Sequence, residues 1–308
     1  MDASVAHGVA RARSVIDWRV VPFAIGLGLL VVMLTEPRPL WDARAYWLAD
    51  PALPYARSVE GQPDAYLYAP AFLQLIAPLR ALPWEWFGLA WILITATTLV
   101  VLTRHWLLIA LLIPITGIEL TVGNIHFLLA AAVIIGIRHP VAWSFVLLTK
   151  VTPGVGLVWF VARKEWRSLA IALGATTLIV AASFALAPDQ WPAWIQSLGG
   201  NSRQQWPYPL FPVPLSERLV MAAALIAWGA RSDRRWTLLV GATLALPTLW
   251  PANLAMLAGL PLVLRRAGVV HIVRPAQPAA FDAEPSASDA EPSGPVAAAT
   301  RPARSSTG

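Results

Sequence analysis

The 308-residue chain has no cysteine, and only 13% of its residues are charged. The first absence excludes a disulfide framework, a thiolate metal site and a thiol nucleophile. The second leaves too little charged surface for an ordinary soluble globule, and a content of 57% hydrophobic residues points the same way. Five histidines with no HExxH pattern give no zinc motif. No Walker sequence occurs. Gly26-x-Gly28 and Gly154-x-Gly156 lie inside apolar runs, without the strand and turn of a dinucleotide site, and read as helix-packing positions. No cofactor and no metal are expected. The formal charge of +6 does not indicate a nucleic-acid partner, because the arginines fall in short clusters between apolar segments rather than in one stripe.

What is present is a succession of Leu, Val, Ile and Ala runs without two-residue alternation, which argues for membrane helices and against a barrel. The expected fold is all-α, a polytopic transmembrane bundle of about eight to ten segments, some short or broken. Arg11, Arg13 and Arg19 precede the run Val20 to Thr35 and mark that end as cytoplasmic, so residues 1–19 read as a cytoplasmic segment and the first span as retained. Residues 20–266 form the membrane domain, with outer loops at about 36–66 and 188–214. From 267 to 308 the composition turns to Pro, Ala, Ser, Asp and Glu, a disordered cytoplasmic tail. Around Gly123 two orientations are open: simple alternation places it inside, whereas Arg104 and the Arg138–His139 pair as cytoplasmic ends place it outside, beside a re-entrant segment.

Four places carry candidate chemistry. In WDARAYW, Asp42 lies among rings and Arg44 directly after the first span; it reads either as an exposed loop carboxylate or as a group poised at the lipid surface. Lys150 interrupts an apolar run and is followed by Thr152 and Pro153, so two half-helices are expected to meet there. An ammonium in such a run is a functional candidate, or it snorkels from a helix end. Glu119 is a lone carboxyl in an apolar stretch, which a helix neighbour can hold neutral. Trp191, Trp194, Arg203, Trp206 and Tyr208 give the second outer loop the aromatic and polar mixture that suits sugar rings or a membrane-interface belt.

Four separated pieces together resemble glycosyltransferase family 87, polytopic mannosyltransferases of the GT-C class. They are Asp42 with Tyr46; Tyr68-x-Pro70 with Pro78, Leu79, Leu82 and Pro83 downstream; Gly123-Asn124-Ile125-His126, a form of Gly-Gln-x-Asn in which Asn124 and His126 replace Gln and Asn; and Lys150-x-x-Pro153 before a basic turn. The resemblance covers roughly residues 15–215. It implies transfer of a hexose, typically mannose, from a polyprenyl-phosphate donor to a lipid or glycan hydroxyl on the outer membrane face, inverting and metal-independent. Asp42 is then the expected base. Lys150, with Arg44 or Arg203, is expected at the donor phosphate, and Tyr46, Tyr68, Asn124 and His126 at the substrates. Membrane lipids are the other expected partners. The rival expectations are a lipid or small-solute transporter and an inactive scaffold member of the family. Paired halves and intramembrane charges, which transporters often have, are scarce here.

Overall fold

Proline and glycine divide the apolar chain into helices of very unequal length. The computed structural model describes residues 40–56, 58–59, 64–104, 116–201 and 212–266. The expected N-terminal segment, the first span, most of the run Trp106 to Val122, Arg203 and the C-terminal tail lie outside them. Contacts divide the chain into Met1–His271 and Ile272–Gly308, and all described residues belong to the first unit.

Every regular element among the described residues is helical. Helix α1 is Trp41–Leu48, α2 Pro70–Leu75, α3 Ala77–Arg80 and α4 Trp84–Thr103. Helix α5 is Thr116–Val122 and α6 His126–Gly136; α7 is Trp143–Thr149, α8 Val158–Ala162 and α9 Trp166–Leu186. Then follow α10 Gln190–Asn201, α11 Leu215–Arg231, α12 Trp236–Leu244 and α13 Leu260–Arg266, with tight 3-10 turns at Pro140–Ala142, Thr152–Leu157 and Pro251–Gly259.

Among the described residues two helices, α4 and α9, are long and apolar enough to cross a membrane, and the bent pair α5–α6 makes a third if counted as one span. The expectation of an all-helical membrane protein is met, and among the described residues two or three of the expected spans are long enough to cross a bilayer. Several expected spans are short or broken, because proline removes a backbone donor and ends the helix ahead of it. The run Val141 to Ala162 is α7, an extended Lys150, a 3-10 turn with Pro153 near its start, and α8. Leu67 to Ala81 holds only the short α2 and α3, and the loop expected at about 188–214 begins as helix α10.

Helix α6 is the centre of the packing. Phe127, Leu129, Ala130, Ala132, Val133, Ile134 and Gly136 are buried, and α4, α7, α12 and the Pro251–Gly259 turn close around it. An all-round apolar helix needs such enclosure, and in lipid the drive is close packing rather than escape from water. Gly136 permits it, since a Cβ there would stand 2.6 Å from Nε1 of Trp143. Helix α9, by contrast, buries only Ala172 and Ser183 and turns Ile171, Leu178, Phe184 and Leu186 outward, as a lipid-facing helix does.

The ends of the bundle differ in chemistry. Gln190 Nε2 donates to the Pro51 carbonyl and Trp194 Nε1 to that of Leu67, so the two loops read as outer touch each other. At the basic turns Arg163 pairs with Glu165 and Asp233 and donates to the Ala230 carbonyl.

Between α5 and α6 the chain bends by 111° at Gly123. Gly123 has φ +72°, Trp91 Nε1 donates to its carbonyl at 2.7 Å, and an added Cβ would stand 2.9 Å from that of Ala43. The bend lies directly against α1. Gly123→Ala combines left-handed strain with a clash against α1, about 2 kcal/mol or more. A clear fall in the thermal midpoint of the detergent-solubilised protein, absent for Gly174→Ala, where a Cβ meets nothing within 4 Å, is the expected result.

Candidate active site

A helix of eight residues has little stability alone, so α1 depends on its ties. The Leu40 amide, in left-handed conformation at φ 55°, donates to the Thr121 carbonyl at 2.8 Å. At the other end Arg80 Nη2 reaches the carbonyls of Trp47 and Ala49, and Trp47 Nε1 donates to Leu82 at 3.0 Å. These ties hold Asp42, in the first turn of α1, against the bend between α5 and α6.

There Asn124 Nδ2 donates to Asp42 Oδ2 at 2.5 Å. The amide oxygen of Asn124 accepts from the Ile125 amide at 2.7 Å and from the Tyr68 hydroxyl at 3.1 Å. With the Tyr68 proton so used, the hydroxyl of Tyr46, 3.0 Å away, donates to Tyr68. Burial, and next the neighbouring Tyr68, push the Tyr46 phenol well above its ordinary range, so it stays protonated and able to donate. Tyr46 also packs on Tyr68, Phe72 and Trp91 with ring centres 5.3 to 5.5 Å apart.

A second chain of contacts begins two residues further on. The His126 amide donates to Glu119 Oε1 at 2.8 Å, and His126 Nδ1 lies 2.9 Å from Glu119 Oε2. The other ring nitrogen, Nε2, is 3.1 Å from Lys150 Nζ. Glu119 is 1% exposed and His126 fully buried. Lys150 stands in extended conformation between α7 and the Thr152–Leu157 turn, 6.0 Å over the Tyr68 ring. Half-exposed Asp42, Asn124 and Lys150 are thus backed by buried Tyr46, Tyr68, Glu119 and His126.

The residues expected at a site are therefore brought together, with exceptions. Arg44 turns to Asp64 at 3.5 Å in an exposed pair. Arg203 lies outside the described residues. His126 is enclosed, with both ring nitrogens in contact with side chains. Glu119, weighed as an isolated carboxyl, is instead a member of the cluster. Trp191 and Trp194 are 7% and 8% exposed and pack edge to face beside Ala69 and Leu148, under the surface rather than as an open aromatic face. Among the described residues no three His, Cys, Asp or Glu side chains converge as metal ligands. A small hollow lined by Ile134, Ile137, Arg138, Arg235 and Val263 lies at the far end of α6, about 16 Å along the helix from His126.

Apolar helices long enough to cross a bilayer, joined by a half-exposed carboxylate and a lysine on a buried polar frame, define a membrane protein with the equipment of an enzyme rather than of a passive span. The sequence model of Glycosyltransferase family 87 matches residues 66–281, well over half of the chain, and the protein belongs to that family of glycosyltransferases. The matched region holds Tyr68, Glu119, Asn124, His126 and Lys150 and begins after Asp42. No curated protein and no solved structure matches the chain.

Asn124 is the joint between Asp42 and the tyrosines. Asn124→Leu removes a donor and a twice-used acceptor from a half-buried place, a loss of about 2–3 kcal/mol. A double-mutant cycle with Tyr68→Phe, followed by thermal midpoints, is expected to show coupling of roughly 0.5 kcal/mol or more; strict additivity would mean the bond is not formed in solution.

Proposed function

We propose that this membrane glycosyltransferase transfers a hexose, in the first instance mannose, from a polyprenyl-phosphate donor to a lipid or glycan hydroxyl at the outer membrane face, with inversion and without a metal. The observation that carries the reading is the convergence of Asp42 and Lys150 on one four-residue element: Asn124 contacts the carboxylate and His126 the ammonium. Their Cα atoms are two positions apart and so no more than about 7 Å from one another. A base and a cation held from neighbouring points suit a reaction that gives up a proton at one end and develops negative charge on a leaving group at the other.

The chemistry follows from the donor. The acceptor oxygen attacks C1 of the sugar, its proton passes to the Asp42 carboxylate, and the C1–O bond breaks with its electron pair left on the phosphate. The phosphodiester monoanion becomes a phosphomonoester bearing more negative charge, so a cation fixed at the departing oxygen stabilises the transition state more than the ground state. Lys150 is the residue proposed for that place. Tyr68, Tyr46 and Asn124 set the direction of the carboxylate. The GT-C architecture, the outer-face orientation and the cytoplasmic termini are part of the same reading. Contact between the two loops read as outer supports it, as does the gathering of Arg163, Asp233 and Ala230 at the basic turns.

The test is transfer from labelled polyprenyl-phosphate mannose in membrane vesicles, with glycolipid products read by mass spectrometry. Asp42→Asn keeps the bond geometry but removes the base, and turnover is expected to fall about 100-fold or more with the protein still folded. Near-normal turnover would sink the assignment of Asp42. Lys150→Ala is expected to weaken use of the donor more than of the acceptor, and a defect confined to the acceptor would refute its phosphate role. Solute movement in reconstituted vesicles with no glycosylated product would favour the transporter instead.

A further inference from the structure

Glu119 and His126 lie behind the groups that the proposed reaction uses, and the reaction leaves them without a task. A carboxylate and an ammonium in apolar surroundings are each costly alone. Here they are joined through a single imidazole, at 2.9 Å on one side and 3.1 Å on the other. The proton positions follow from the partners. An ammonium donates, so Nε2 of His126 must accept; Nδ1 then carries the hydrogen and donates to Glu119. A doubly protonated ring would point an N–H at the Lys150 ammonium, so the ring is neutral. Glu119 also takes the backbone amide of His126, which fixes the carboxylate to the start of α6. The imidazole thus links the carboxyl group on one side to the ammonium on the other.

We propose that Glu119 and His126 are positioning residues for Lys150, a buried carboxylate–imidazole brace that holds the ammonium charged and oriented toward the phosphate of the lipid donor. This inference rests on the donor reading above and adds a specificity device to it. An ammonium has three N–H donors on a flexible stem. Directing one of them to His126 Nε2 sets the directions of the others. The titratable groups around Lys150 are His126 and Glu119 on the bent pair, Tyr68 ahead of α2, and Asp42 and Tyr46 on α1. Glu119 reaches Lys150 through one side chain, that of His126. The brace acts through Lys150 and touches no substrate, since His126 is fully buried.

The test measures binding, so that it does not depend on turnover. Affinities of a polyprenyl phosphate and of the matching polyprenol are compared for the full-length protein in nanodiscs, the ratio reporting recognition of the phosphate alone. Wild type is expected to favour the phosphate, and Lys150→Ala to abolish the preference. Glu119→Gln keeps the shape and one acceptor oxygen, but it puts an NH2 group against the other N–H and removes the charge. It is expected to reduce the preference about 5-fold or more with polyprenol affinity unchanged, and to have no further effect when added to Lys150→Ala. His126→Ala is the second variant and is expected to behave like Glu119→Gln.

A brace with only a structural role would lower both affinities together and act equally in the Lys150→Ala background, and either result overturns the inference. So does a preference that Lys150→Ala removes but Glu119→Gln and His126→Ala leave intact, an outcome that keeps the donor reading. Wild type with no preference for the phosphate overturns both.

Discussion

A side-chain amide in an apolar bundle is tolerable only where the chain delivers its partners, and Asn124 collects three of them within 3.1 Å. That requirement is met by a bend, because no continuous helix would turn Asn124 toward α1 and His126 toward Lys150 while keeping Glu119 in reach. The bend in turn needs Gly123, whose positive φ and missing Cβ let α1 lie directly on it. Helix α1 is too short to stand by itself, so the position of Asp42 is decided by residues elsewhere: Thr121 at one end of the helix, Arg80 at the other and Asn124 at the carboxylate. The site is therefore a property of the break, and the long helix α4 helps to hold it in place through the bond from Trp91 to Gly123.

Charge is handled in two ways at the two ends of α6. Near Arg163, cations meet Glu165 and Asp233 where water reaches them, and exposed pairs of this kind contribute little. Near His126 the charges are withdrawn from water, and only complete pairing makes them tolerable. Arg218 shows a third arrangement, buried and, among the described residues, donating to the carbonyls of Val213, Leu244, Leu246 and Pro247 rather than to a carboxylate, so that the end of α12 becomes its counter-charge. Three basic residues thus sit in three environments, and only that of Lys150 joins a buried carboxylate to a half-exposed surface.

How much of this was legible in the sequence differs residue by residue. The break at Lys150 was readable because proline and threonine interrupt an apolar run, a local signal that needs no knowledge of neighbours. The all-helical class followed from the same runs. Glu119 was not readable. On a straight helix a residue seven positions ahead lies about 10 Å further along the axis, beyond hydrogen-bond range, so Glu119 and His126 look unrelated until the 111° bend folds one onto the other. The tryptophans were ambiguous for another reason. An indole suits a sugar or an interface equally well by composition, but Trp47, Trp91 and Trp194 spend their N–H groups on the carbonyls of Leu82, Gly123 and Leu67, tying segments together. Such ties depend on tertiary contacts with no sequence spacing to announce them. Short and broken segments were expected, and among the described residues proline divides several of the apolar runs.

The two departures from the family pattern, Asn124 and His126, fall on the residues that touch Asp42 and Lys150. An element that has lost its task leaves polar atoms orphaned, because nothing maintains their partners against the cost of burial. Among the described residues the buried side-chain atoms without a hydrogen-bond partner are on Arg80, Trp143, Thr152, Ser183, Gln190 and Trp191, none of them in the two chains of contacts. Both functional atoms of the Asn124 side chain are engaged, as are both ring nitrogens of His126. The imidazole, longer than the asparagine it replaces, is what spans from Glu119 to Lys150, a distance that a short amide at the same backbone position would leave open. The altered element is thus a re-fitted frame around the same carboxylate and lysine, and this argues against an inactive scaffold. The result is a titratable ring at the start of α6, wired to a buried carboxyl group.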